Sequence, residues 1–220
     1  TTAVAKNDVT RFFILGDIQE EDAVNGMGLI ADRLVNEPFD FGIQLGDAVD
    51  DVRQYSQWDA ALNHFNIDRL NMNILHVIGN HEADDDGNNS YAAKSVFGIS
   101  DDWYSFEYGA VYVAVLNHTL VTDELQAFGR WLVEDASRSR CPWKIFVSHV
   151  PVYYTNPTGG GEVLLANLRE YIDAAGIDFC FSANDHSYAR TAPMTNGAIN
   201  ENGTVYYIAG DTGGKSYSIV

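Results

Sequence analysis

Five short apolar runs in the 220-residue chain end in side chains that can hold a cation. Residues 12–15 lead into Gly16-Asp17-Ile18-Gln19, residues 43–45 into Gly46-Asp47-Ala48-Val49-Asp50, and residues 74–78 into Gly79-Asn80-His81-Glu82. Further on, residues 145–148 meet His149-Val150-Pro151, and residues 179–182 meet Ala183-Asn184-Asp185-His186. If each run is a strand, each delivers carboxylate, amide or imidazole groups at its carboxyl end, where open α/β sheets build their sites. Carboxylates, amide oxygens and imidazoles without thiolate suit hard-to-borderline divalent ions such as Mn, Fe, Zn or Co. One carboxylate can bridge two ions, and a metal pair roughly 3.5–4 Å apart clamps a phosphoryl group and lowers the pKa of bound water. Phosphoester hydrolysis is the chemistry this residue set fits.

These groups meet only if strands and helices alternate, and the periodicity predicts that. Strands are expected over 12–15, 41–45, 73–78, 111–116, 144–148, 178–182 and 205–209. Between them Met27, Ile30 and Leu34 share a helical face, as do Trp58, Leu62 and Phe65, then Leu125, Phe128 and Leu132, then Leu164, Leu168 and Ile172. Thr122 before Asp123 and Glu124 reads as a helix start, and Gly176 as a left-handed helix stop, predicting helices over 123–136 and 163–175. The pattern is α/β, with no repeat and no linker long enough to divide it, so residues 1–220 read as one domain with an N-terminal tail over 1–10. Residues 195–203 read as a hairpin connection, and Trp103, Tyr104 and Phe106 as core or a hairpin face.

Composition narrows the partners. Thirteen Lys and Arg against 31 Asp and Glu leave a formal charge of −18, a field that repels nucleic-acid backbones and anionic membranes. No apolar run approaches the roughly 18 residues a membrane span needs. The expected partner is therefore a small phosphoester, with neither nucleic acid nor membrane. Oligomeric state leaves no trace. Thr1 in place of an initiator Met reads as a processed or excerpted chain, and with the acidic composition it is the ground for expecting a secreted or periplasmic location.

The five blocks together resemble the calcineurin-like metallophosphoesterase family, closest to its bacterial purple-acid-phosphatase-like branch. That family's pattern is Asp-x-His or Asp-x-Gln after the first strand, then GDxxD or GDxxY, GNH with Asp or Glu, a lone His before Pro, and GHxH. The likeness spans positions 12 to 214 and includes His186-Ser187-Tyr188-Ala189-Arg190. It implies a four-layer α/β/β/α sandwich with two mixed sheets. It also implies that Asp17, Asp47 and His186 hold one metal with Gln19 nearby, and that Asp47 bridges to a second metal bound also by Asn80 and His149. His81 would face the leaving-group oxygen, and a bridging hydroxide would be the nucleophile. Two divalent ions (Mn, Fe or Zn) are the implied cofactors, and Tyr188 and Arg190 order the surroundings or touch phosphate.

Two departures carry consequences. Where the family has the first His of GHxH, a ligand of the second metal, this chain has Asn184. A neutral amide in place of imidazole weakens that site, since loss of even a supporting partner typically costs about 10- to 100-fold in metal affinity. Asn184 can coordinate only through its amide oxygen; Asp185 or Asp211 could lend a carboxylate, although strand alternation turns Asp185 away from its neighbour's face. Asp50 stands where purple acid phosphatases carry a metal-bound Tyr, which argues for a divalent pair over a coloured Fe(III) centre. A second reading follows from Asn184, an impaired domain that binds metal or phosphate without turnover; a third, a structural module of a secreted protein, is suggested by the missing initiator Met and the acidic surface.

Other candidates have simpler readings. His64 lies inside a helical pattern and His76 inside a strand, so both read as structural or exposed, while His118 at a strand end could line the cleft. Asp84, Asp85 and Asp86 with Gly87 lack the spacing of a calcium loop and read as a solvated turn. Cys141 and Cys180 sit too far apart along neighbouring strands to join, predicting two free thiols.

Overall fold

A computed structural model describes residues 9–19, 26–64, 70, 72–83, 91–117, 122–210 and 212. Three strands, β1 (Phe12–Leu15), β2 (Phe41–Gln44) and β3 (Asn73–His76), pair in parallel in that order. A six-stranded sheet takes β4 (Trp103–Tyr108), β5 (Val111–Leu116), β6 (Trp143–Ser148), β7 (Phe179–Ser182) and β8 (Tyr188–Arg190). After a hairpin of β9 (Met194–Thr195) and β10 (Ala198–Ile199), it takes β11 (Val205–Ala209), giving the order β4-β5-β6-β7-β11-β8. β4 and β8 run antiparallel to their neighbours and the rest are parallel. Among the described residues mixed pairing is thus confined to the six-stranded sheet. The three strands of the other sheet are joined through the helical segments α1 (Gly26–Leu34) and α2 (Tyr55–His64), and such crossovers return the chain in the same direction.

Hydrophobic pattern explains the layering. β5 is buried at all six positions, as a strand covered on both faces must be. Its Val111, Val113 and Val115 join Ile145, Val147, Phe41, Ile43 and Leu45 in the core between the two sheets. Its Tyr112, Ala114 and Leu116 face the other way, against α4 (Thr122–Arg138) and α5 (Gly161–Ala175). Leu125, Phe128, Leu132 and Ala136 of α4 and Leu168 and Ile172 of α5 fill that outer core. On the opposite side Phe13, Leu15, Ala31 and Leu34 pack α1 onto the three-stranded sheet, while Trp58, Ala61 and Ala93 seat α2 and α3 (Tyr91–Phe97) around Val49 and Ile78. The result is helix, sheet, sheet, helix.

All seven expected strands and all four expected helices are present. α5 stops at Gly176, whose φ of 65° supplies the left-handed turn. β4 pairs with β5 as a hairpin, and β9 and β10 turn through Asn196 and Gly197 at φ 51° and 76°. Both cysteines are free thiols. Phe65, the loop 84–86, His118, Asp211 and the glycines at 213 and 214 lie outside the described residues, as does the side chain of His64 in α2. His76 stacks flat on Phe97 with ring centroids 3.8 Å apart, a packing role. Among the described residues no helix is long and apolar enough to cross a membrane.

Phe128 is fully buried between α4 and the large sheet, with its ring against Trp103, Trp131 and Phe146. Phe128→Ala should cost about 3–5 kcal/mol of unfolding free energy by urea titration, because the surrounding rings cannot collapse fully into the vacated space.

Candidate metal centre

The parallel registers bring the strand ends together. Continued beyond its last pairs, the small sheet sets Asp17 beside Gly46 and Asp47 beside Gly79; Asp17 N–H donates to the Gly46 carbonyl at 3.2 Å, and Gln19 N–H to that of Asp47 at 2.9 Å. In the large sheet Ala183 N–H reaches the His149 carbonyl at 2.8 Å, so the ends of β6 and β7 stay level. Both sheets release their chains at one edge of the sandwich. There Asp17, Asp47 and His149, all buried, bring ligand atoms within 4.8 Å of one another. His149 Nε2 lies 2.9 Å from Asn80 Oδ1, 3.3 Å from Asp47 Oδ2 and 4.0 Å from Asp17 Oδ1. Its Nδ1 donates to the Leu45 carbonyl at 2.8 Å, which fixes the ring and turns Nε2 toward the carboxylates.

Backbone strain is concentrated here. Six non-glycine residues among those described have positive φ: Asp17, Gln19, Asp47, Asn184, His186 and the hairpin residue Asn196. The first five are candidate site residues, and left-handed backbone at such residues persists only where the surroundings hold it. Glu82 is one such support. Its buried carboxylate accepts from the N–H groups of Asp47 (2.8 Å), Ala48 (2.6 Å), Val49 (3.3 Å) and Gly79 (2.7 Å), tying the ends of β2 and β3 into one unit. Gln44 closes the preceding turn, its amide donating to the Gly46 carbonyl at 2.7 Å and accepting from Gly46 N–H at 3.1 Å. Gly79 leaves no room for a side chain, since a Cβ there would sit 2.2 Å from Asp47 Oδ1.

The electrostatics are those of an anionic cage. Burial, and then the charge of Asp47, push the Asp17 carboxyl well above its ordinary pKa. Burial would do the same to Asp47, but the His149 imidazole beside it wins and holds it below the usual value. Burial also opposes charge on His149, yet Asp47 and Asp17 raise it to about 10. Burial, with Asp47 again, lifts Glu82 to about 7. Both oxygens of Asp17 and both polar atoms of the Gln19 amide are buried without a hydrogen-bond partner. Buried polar atoms are rarely left so. Oxygen and imidazole donors around two unsatisfied carboxylate oxygens are what a divalent cation fits.

The other expected residues are distributed around this core. His81 flanks it: its N–H donates to Asp47 Oδ1 at 3.0 Å and its Nε2 lies 3.9 Å from Asp47 Oδ2, while its Nδ1 is 2.6 Å from the Asp50 carbonyl. The Asp50 carboxylate sits at the rim, 3.5 Å from the same Nδ1. His186 is buried one residue beyond Asp185 but is not part of the compact trio. Asn184 directs its amide nitrogen to the Gly159 carbonyl (3.1 Å) and to Asp185 Oδ1 (3.3 Å). Tyr188 and Arg190 are exposed on the edge strand β8. Asp185, weighed from sequence as a carboxylate that could be lent to a metal, is instead taken up by the loop at 155–156. The roles of Glu82 and Gln44 were not read from sequence. For Glu82 a signal existed in its place after Gly79-Asn80-His81, whereas a Gln within a strand carries none. A cavity of about 400 Å³ beside His81 is lined by Asp50, Asp51, Val52, Arg53, Asn80 and Ala83.

Fold and site together define a class: an α/β/β/α sandwich with carboxylate, amide and imidazole groups gathered at the carboxyl ends of its strands. The model of the calcineurin-like phosphoesterase family matches residues 10–188, and the chain belongs to that family. Purple acid phosphatase 18 of Arabidopsis thaliana is 32% identical over 121 residues, covering 53% of this chain and 28% of that protein. A purple acid phosphatase from yellow lupin (Lupinus luteus) seeds superposes with a TM-score of 0.78 at 21% identity, over 96% of this chain and 45% of that one. A dimetal phosphatase from Danio rerio has a TM-score of 0.60 at 15% identity, over 93% and 88% of the two chains. These two structures bear on the fold alone. The chain spans less than half the length of the curated relatives it matches.

A metal entering this cage must displace protons, because the metal-free protein holds Asp17 and His149 protonated above their ordinary pH ranges. The metal-free state binds more protons than the metal-bound state, so apparent Mn²⁺ affinity should climb with pH between about pH 6 and about pH 9. Calorimetry in buffers of different ionisation enthalpy should show proton release on binding, and an affinity flat in pH would contradict the assignment.

Proposed function

We propose that this chain hydrolyses a phosphate mono- or diester using two divalent ions held between the ends of the two sheets. The observation that carries the reading is the convergence of buried Asp17, Asp47 and His149 within 4.8 Å, with both Asp17 oxygens unpaired. Asp17, Asp47 and His186 would hold one ion with Gln19 beside it; Asp47, Asn80 and His149 would hold the other, with Asn184 in the place of a fourth ligand. Divalent ions bound there supply Lewis acidity toward phosphoryl oxygens and bring the pKa of water toward neutrality.

The remaining work falls to the chain's own groups. The Leu45 carbonyl orients His149, and Glu82 holds the backbone that carries Asp47, so neither ligand has to reorganise. His81 Nδ1 faces the Asp50 carbonyl, which can only accept, so Nδ1 carries the hydrogen and Nε2 lies on the side of the Asp47 carboxylate, 3.9 Å from its Oδ2. Protonated at Nε2, His81 can donate to the departing oxygen. The cavity of about 400 Å³ on the His81 side has room for a small leaving group.

The acidic surface does not forbid an anionic substrate. Two divalent ions outweigh the carboxylates that hold them, and screening over about 8 Å at physiological ionic strength limits the pull of distant acids. Asn184 weakens one ion: its amide nitrogen is spent on Gly159 and Asp185, and an amide oxygen is a poorer donor than imidazole.

With Mn²⁺, the protein should hydrolyse p-nitrophenyl phosphate or its bis ester, and a chelator should abolish turnover. His81→Ala should lower kcat about 10²- to 10⁴-fold with Mn²⁺ affinity retained. Absence of turnover across Mn, Fe, Zn and Co, despite ion binding, would remove the hydrolase reading and leave a binding domain. Asn184→His should tighten the weaker ion about 10-fold or more and raise activity, and an unchanged second affinity would show that residue 184 does not address the ion.

A further inference from the structure

Asp185 departs from ordinary strand-end behaviour in three respects. It is 1% exposed, it lies between two residues with left-handed backbone, Asn184 (φ 64°) and His186 (φ 46°), and its carboxylate points at another segment of chain. Its Oδ2 accepts from Thr155 N–H at 2.5 Å, Thr155 Oγ1 at 3.0 Å and Asn156 N–H at 2.9 Å. Its Oδ1 accepts from the Asn184 amide at 3.3 Å, and that amide also donates to the Gly159 carbonyl at 3.1 Å. Ser187 Oγ meets Thr155 Oγ1 at 3.0 Å. The fit is close: a Cβ on Gly159 would lie 2.6 Å from Asn184 Nδ2 and 3.0 Å from Asp185 Oδ1.

The two segments joined here each carry a candidate ligand. Residues 155–159 follow His149 within one loop, and residues 184–187 contain His186. Regular pairing between β6 and β7 ends at Val147 and Phe181, and beyond it the Ala183 N–H to His149 carbonyl bond is the last backbone link. Past that point the distance between the two imidazole-bearing segments depends on side chains; buried Asp185 and Ser187 both bridge them, Asp185 with the larger share of the bonds.

We propose that Asp185 is a positioning residue for the metal centre: by clamping loop 155–156 it holds the strained 184–186 turn and so presents His186 to the ion. The same network accounts for Asn184, whose amide serves the clamp. Buried charge-assisted hydrogen bonds of this kind are strong enough to sustain an unfavourable backbone conformation. The proposal rests on the metal-dependent reading above, and its test separates the two.

Mn²⁺ alone is titrated calorimetrically into the wild-type chain, Asp185→Asn, Thr155→Val, Thr155→Ser, His186→Ala and the double variant Asp185→Asn/His186→Ala, with thermal melting in parallel. Asp185→Asn keeps the shape but sets its amide nitrogen against that of Asn184, and Thr155→Val removes the hydroxyl shared by Asp185 and Ser187. Each should weaken Mn²⁺ binding about 10- to 100-fold, Thr155→Ser should restore it, and in the His186→Ala background Asp185→Asn should change affinity within about twofold. Lower melting temperatures with unchanged Mn²⁺ affinity, or an equal loss with and without His186, would overturn the clamp while leaving the metal centre standing. A wild-type chain that binds no Mn²⁺, Fe²⁺, Zn²⁺ or Co²⁺ would overturn both. Should Asp185→Asn fail to fold, Thr155→Val against Thr155→Ser carries the same comparison.

Discussion

Two carboxylates buried side by side without enough positive charge are the tension around which this molecule is arranged. Asp17 and Asp47 are both out of water, with a third carboxylate, Glu82, behind them. Taking a single ionised carboxylate out of water costs several kcal/mol even after relaxation, so three together demand compensation. Glu82 is compensated by four backbone N–H groups, and Asp47 in part by the His149 imidazole and the His81 backbone. Asp17 is compensated least: neither oxygen has a hydrogen bond of good geometry, and the nearby His149 ring and Asn184 N–H offset its burial only in part. A divalent cation is the simplest charge that satisfies it, and it would convert a destabilising cluster into a source of binding energy.

Much of the architecture serves to hold that tension in place. Parallel pairing in both sheets sends five strand ends to one edge, and the core between the sheets keeps the edges together. Left-handed backbone at Asp17, Gln19, Asp47, Asn184 and His186 turns the side chains inward at positions where an extended chain would carry them past the site. Such conformations are costly one by one. They coexist here because Glu82, Gln44, the Leu45 carbonyl and Asp185 each fix a neighbouring segment by hydrogen bonds in a dry setting.

The legible part of this was the part written in residue type and period. Apolar runs ending in Gly-Asp, Gly-Asn-His or Ser-His announced the strands and the candidate ligands at their ends, and β1, β5 and β11 begin and end where the pattern predicts. Helices with a full apolar stripe, such as α4 around Leu125, Phe128 and Leu132, were equally readable. What escaped were elements too short for a period to show. α3 spans seven residues and packs against Trp58 and Ile78, far back along the chain, and β8 has three residues paired to β11, whereas β9 and β10, two residues each, pair with one another in the stretch that reads as a hairpin connection. The side-chain partnerships of Asp185 with Thr155, 30 positions away, and of Glu82 with Ala48, 34 positions away, escaped for the same reason. The departure at Asn184 was visible as a letter, but its consequence, an amide turned toward Gly159, needed the loop's position.

Diffraction from crystals grown with Mn²⁺, recorded with anomalous scattering, tests the central claim most directly. The account predicts strong anomalous density among Asp17, Asp47 and His186, with a weaker second peak among Asp47, Asn80 and His149. Density elsewhere, or none at this edge while Asp17 finds hydrogen-bond partners of another kind, would contradict it.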